Sequence, residues 1–128
     1  MLDTSPLTAA VERFADRLRA APQSRLQQGA AEVALDLARE LSLRAQRLEA
    51  ASADGTAAGD GTGAAPARTM PDAGIFVVGD QLAVAGLDLA EALHAATDAR
   101  GEDMAKAPSE MLDEAVRLVD QAEARALR

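Results

Sequence analysis

Between Ile75 and Ala96 the chain reads IFVVGDQLAVAGLDLAEALHAA, its longest run rich in large apolar residues. Ile75, Gly79, Leu82, Gly86, Leu89, Leu93 and Ala96 recur there at alternating steps of four and three. That spacing lays them along one face of a helix. Val78, Ala85 and Ala92 widen the face, while Asp80, Asp88 and Glu91 fall elsewhere. The opening Ile-Phe-Val-Val is β-prone, but the helical period continues for about twenty residues and favours a helix throughout. This stretch reads as the one helical pattern with glycine inside it, and Gly79 and Gly86 stand one heptad apart. Each costs a helix interior roughly 1 kcal/mol against alanine. Close approach of a neighbouring helix to a surface without side chains offsets that cost. On this reading Gly86→Ala is near neutral or mildly destabilising, and Gly86→Leu, which overpacks the contact, is clearly destabilising.

The partners of this helix must come from a chain of 128 residues, enough for one domain with a modest core. Phe14 and Phe76 are its only aromatic residues. The core is therefore expected to consist of Leu, Val and Ala, which suits helices with closely spaced axes. Ser5 reads as an N-cap and Pro6 as the first helical residue. Leu7, Ala10, Val11, Phe14 and Leu18 form the stripe that follows, ended by Ala21-Pro22. A second helix runs from about Ser24 to Ala51, with Leu26, Ala30, Val33, Leu37, Leu41, Ala45 (or Arg44) and Leu48 on its apolar side. Leu35 and Leu43 widen that side and suggest more than one neighbour. The last helix begins near Pro108 and carries Met111, Leu112, Ala115, Leu118, Val119, Ala122 and Ala126.

Residues 52–69, SADGTAAGDGTGAAPART, contain no Leu, Ile, Val, Phe or Met. Their glycine and small polar residues predict a disordered linker. The expected fold is all-α: a four-helix up-and-down bundle of two helical hairpins, with helices near 6–20, 24–51, 72–99 and 108–127, forming one domain over 1–128. The second helix is about 40 Å long, whereas a flexible linker of this length spans about 23 Å. The second and third helices are therefore expected to be antiparallel if they pack directly.

Net charge is −8 and lies in the second half, where residues 71–128 carry twelve acidic and five basic side chains. That half repels a phosphate backbone, so no nucleic-acid binding is expected. Arg outnumbers Lys twelve to one, as codon bias in a G+C-rich bacterial genome produces. Cysteine is absent, which removes disulfides, thiol nucleophiles and thiolate metal sites. There is no secretory signal pattern and no window fit to span a bilayer, so a cytoplasmic protein is expected.

Chemistry-bearing patterns are scarce. His94 is the sole histidine and reads as a surface or boundary residue. Neither it nor the acidic pairs Glu102-Asp103 and Asp113-Glu114 offer a ligand set or an apolar setting for acid–base work. Gly59-Asp60-Gly61-Thr62-Gly63 lacks the lysine and preceding strand of a phosphate loop. No catalytic residue, metal ligand or cofactor is assigned. The expected function is non-catalytic: a small acidic helical protein, an adaptor or regulatory component, that binds another protein or a second copy of itself. Its interaction residues would be Gly79, Leu82, Gly86, Leu89, Leu93, Leu37 and Leu41. The alternative is a regulatory bundle with an apolar small-molecule pocket between helices, which a sealed cavity lined by Phe14, Phe76 and Leu82 would mark.

Overall fold

A computed structural model describes residues 2–54, 69–100 and 106–127. Four long helices make the bundle: α1 (Ser5–Ala20), α3 (Ala31–Asp54), α4 (Val78–Arg100) and α5 (Lys106–Ala126). Between the first two lie a single turn, α2 (Gln23–Arg25), and a π-helical segment, Leu26–Ala30. The fold is the all-α bundle that the periodicity predicts, without a strand among the described residues. The expected linker falls mostly on residues 55–68, which lie outside the described residues.

The predicted stripe of α1 is buried in full, with Leu7 and Phe14 completely enclosed. Its cap differs from the expectation by one residue. Thr4 occupies the N-cap position, and its carbonyl accepts the Leu7 and Thr8 amides. The Asp3 carboxylate accepts the Ser5 amide at 2.9 Å. Hydrogen bonds from Ser5 hold the Asp3 carboxyl below its ordinary pKa. The Thr4 hydroxyl is turned away from the cap and lies 3.0 Å from His94 Nε2 on α4.

The predicted second helix is broken at Gly29, whose φ of +126° and ψ of −15° leave the helical region. Sequence reading missed this glycine because Leu26 and Ala30 keep the helical apolar spacing across it. Both are buried, so the segment before Gly29 covers one end of the bundle. The break lets the chain turn from that end into α3. A side chain at this φ is strained, although a Cβ there would meet no atom within 4 Å. Gly29→Ala is therefore expected to cost about 1–3 kcal/mol. A straight helix would instead gain about 1 kcal/mol from the same substitution, so the sign of the change in a denaturant melt tests the kink.

The central helix starts at Val78, not near residue 72. Asp72 caps a turn of its own: its carboxylate accepts the Gly74 amide at 2.9 Å. Gly74 then takes a φ of +105°, outside any right-handed helix. Ile75 consequently sits in the turn before α4, half-buried against the core. Two side chains tether this approach to the bundle. Arg39 Nε donates to the Met70 carbonyl at 2.8 Å, and Gln81 Nε2 donates to the Pro71 carbonyl at 2.8 Å.

Helix α4 packs chiefly against α3 and α1, and α5 packs against both from the other side. The direction of each pair follows from its contacts. Val11 meets Gly86, and Ala15 and Arg19 meet Gly79, so α1 and α4 are antiparallel. Arg13 pairs with Asp120 and Arg17 with Glu123, so α1 and α5 run the same way. Arg44 meets Glu114, whereas Val33 and Leu37 lie with Leu118, Ala122 and Arg125, so α3 and α5 are antiparallel. It follows that α3 and α4 are parallel neighbours. That corrects the antiparallel pairing inferred from linker reach. By Met70 the chain is already back beside Arg39, and residues 69–77 extend the connection beyond the assumed linker. Chain length did not forbid the crossover, and burial between α3 and α4 stabilises it.

Candidate functional site

Every one of the seven residues expected to form an interaction surface lies inside the bundle. Leu82, Leu93 and Leu41 are completely enclosed, Leu89 and Leu37 are buried, and Gly79 and Gly86 face α1. The stripe does bring helices together, but they are helices of this one chain. Their surfaces are occupied by packing within the chain. Leu37 borders an opening. It helps line a groove of about 480 Å³ between α3 and α5 with Val33, Leu118, Ala122, Asp36, Glu40 and Arg125.

The contact at the glycines is close. A Cβ built on Gly86 would lie 2.7 Å and 2.8 Å from the two γ-methyl groups of Val11 and 3.1 Å from its Cβ. One on Gly79 would lie 3.1 Å from the Ala15 carbonyl oxygen and 3.3 Å from Arg19 Cγ. Both glycines let α1 approach α4 to a distance that side chains would forbid.

The residues that would have enclosed a ligand do not meet. Phe14 and Leu82 are in the packed core, while Phe76 is 73% exposed. A second open groove, of about 490 Å³, runs between the kinked segment, the start of α3 and the turn before α4. Its lining mixes Leu26, Leu35, Ile75 and Val78 with Glu32, Asp36, Arg39 and Asp72. Among the described residues no three His, Asp or Glu side chains gather into a group able to hold a metal ion. His94 is exposed and serves the Thr4 contact.

The feature that sequence reading missed is the outer face of α4. Val84 is 54% exposed and Leu87 is 52% exposed, on the side opposite Leu82, Gly86 and Leu89. Val77 and Phe76, in the turn just before α4, are exposed as well. The sequence held a signal for this. Ten residues of α4 satisfy the buried face, and Val84 and Leu87 are large apolar residues left over at positions occupied by charge on a one-sided helix. Asp80, Asp88 and Glu91 share that outer face. Asp80 is bonded by Arg19, with its Nη2 at 2.6 Å, and Arg19 also reaches Asp16 at 3.0 Å. The hydrogen bond to Asp80 is the main reason the Arg19 pKa is raised.

A second charged group fastens α1 to α5. The buried Glu123 carboxylate accepts from Arg13 Nε at 3.3 Å and from Arg17 Nη1 at 3.1 Å, and Asp120 pairs with Arg13 at 3.0 Å. These cations balance acids of the second half of the chain within the fold. On the α4 face Arg19 stands between two carboxylates and leaves Asp88 and Glu91 exposed.

No helix of the described residues is long and apolar enough to cross a membrane. Compared with protein-family models, characterised proteins and solved structures, the chain matches none.

Proposed function

We propose that this protein is a non-catalytic binding module that recognises another protein through the outer face of α4. The observation that supports this reading is the pair Val84 and Leu87, more than half exposed on a helix whose opposite face is fully engaged. Phe76 and Val77, exposed in the turn before α4, add apolar surface at its start. Burying such side chains against a partner contributes about 25 cal/mol per Å². Neighbouring exposed apolar side chains rimmed by acids supply the two chemistries, apolar and charged, with which a partner can be held. The adaptor or regulatory role expected from composition is compatible with such a surface, and nothing in the site favours the small-molecule alternative.

The expected result is selective loss of binding without loss of fold. Val84→Gln with Leu87→Gln changes stability by no more than about 0.5 kcal/mol, as is usual for exposed positions. Proteins retained by the immobilised wild-type chain from a lysate of its source cells are no longer retained by the double variant. Retention of the same proteins by both forms would refute the assignment to α4.

A further inference from the structure

Resting on the reading that the outer face of α4 binds protein, we infer that its occupant is a basic amphipathic helix of another protein and not a second copy of this chain. Val84 and Leu87 stand three residues apart on α4, so they form a short exposed apolar ridge along its axis. Such a ridge fits between the side-chain rows of a second helix. A partner strand has nothing to pair with, because the backbone of α4 is hydrogen-bonded within the helix.

Charge then selects among helices. Asp80, Asp88 and Glu91 alternate with the apolar residues, and Asp16 lies beside Asp80 across the seam with α1. Arg19 bonds Asp16 and Asp80, whereas no cation is bonded to Asp88 or Glu91 through an ion pair among the described residues. A symmetric dimer on this face would set the same patch against itself about a two-fold axis, with more carboxylates than Arg19 can pair. Carboxylates would then meet carboxylates as water is excluded, which disfavours self-association. A helix with Lys or Arg flanking its apolar stripe meets no such repulsion. Its long side chains cover apolar surface with their stems while their charged ends reach the acids.

The probes are two fluorescent model peptides of about 18 residues, long enough to form a helix. One is built of leucine and lysine, the other of leucine and glutamate. Binding to the full chain is followed by anisotropy, and mass in solution is measured in parallel. The lysine peptide is expected to bind at least about tenfold more tightly than the glutamate peptide, with an advantage that shrinks as salt rises. Asp88→Asn with Glu91→Gln should weaken it about fivefold or more, and Val84→Gln with Leu87→Gln should abolish it. Glu110→Gln with Asp113→Asn, on exposed positions of α5, should leave it unchanged. Equal weakening by the α5 and α4 charge variants would reveal attraction to net charge alone and overturn the inference. A dimer that Val84→Gln with Leu87→Gln converts to monomer would also overturn it, while leaving the binding role of the face intact. If peptide binding, mass and lysate capture all ignore the α4 substitutions, the inference and the function it rests on both fail.

Discussion

Gly86→Leu is expected to lower stability by more than about 3 kcal/mol, the upper end of ordinary overpacking. The reason is the position of Val11, whose two γ-methyl groups lie within 2.8 Å of where any Cβ would stand. Valine is held to one preferred rotamer in a helix, and its Cβ, at 3.1 Å, does not move when the side chain turns. Relief requires α1 to move away from α4. Even Gly86→Ala meets this obstacle, which places it at the destabilising end of the range expected from the sequence. Its gain of about 1 kcal/mol is set against overpacking of about 1–3 kcal/mol, and a net loss is expected. Gly79→Ala should be milder, because 3.1 Å and 3.3 Å contacts need smaller adjustments and one neighbour is a flexible arginine. Denaturant melts of Gly86→Ala, Val11→Ala and the double variant test the mechanism. The double variant should be more stable than the sum of the single effects predicts, by about 1 kcal/mol or more for residues in direct contact. Strict additivity, or stabilisation by Gly86→Leu, would show that the glycine is not a contact point.

Phe14→Ala is expected to cost about 3–5 kcal/mol, whereas Phe76→Ala should change stability by less than about 0.5 kcal/mol. Phe14 is fully enclosed among leucines and alanines, and no aromatic neighbour is available to fill the space it leaves. Its removal loses both the transfer free energy of the ring and the contacts around the resulting cavity. Phe76 has little to lose on truncation in the free protein, being 73% exposed. If the proposed binding surface reaches Phe76, the same substitution weakens partner capture. Calorimetric melts of both variants, with capture measured on the folded Phe76→Ala protein, separate a residue of the core from one of the surface. A large stability loss at Phe76 would contradict its exposed position.

Much of the architecture is legible in the order of residues. The stripe of α1, from Leu7 to Leu18, and the buried face of α4, from Gly79 to Ala96, follow from steps of three and four. A helix has one period, and apolar residues placed on it must face a neighbour. The two interior glycines also announced a close contact, because their cost in helix propensity needed an offset. Local competition defeated the reading elsewhere. Asp72 was available as a helix cap but closed a turn ending in Gly74. Gly29 interrupted a pattern whose flanking Leu26 and Ala30 both remained buried. Across Gly29 the apolar spacing is unbroken, so periodicity cannot register the bend.

What the sequence by itself determined is the helical class, the residues that must be buried and the places where helices touch closely. These depend on side-chain type at short separations along the chain. Tertiary structure alone decided which helices became neighbours, that α3 and α4 run parallel, and that Phe76 meets solvent. It also decided that the Gly79–Leu93 stripe is consumed within the chain and that Val84 and Leu87 remain outside. Those outcomes depend on packing four amphipathic helices at once, where each face can be covered only by a surface that connection and direction bring to it.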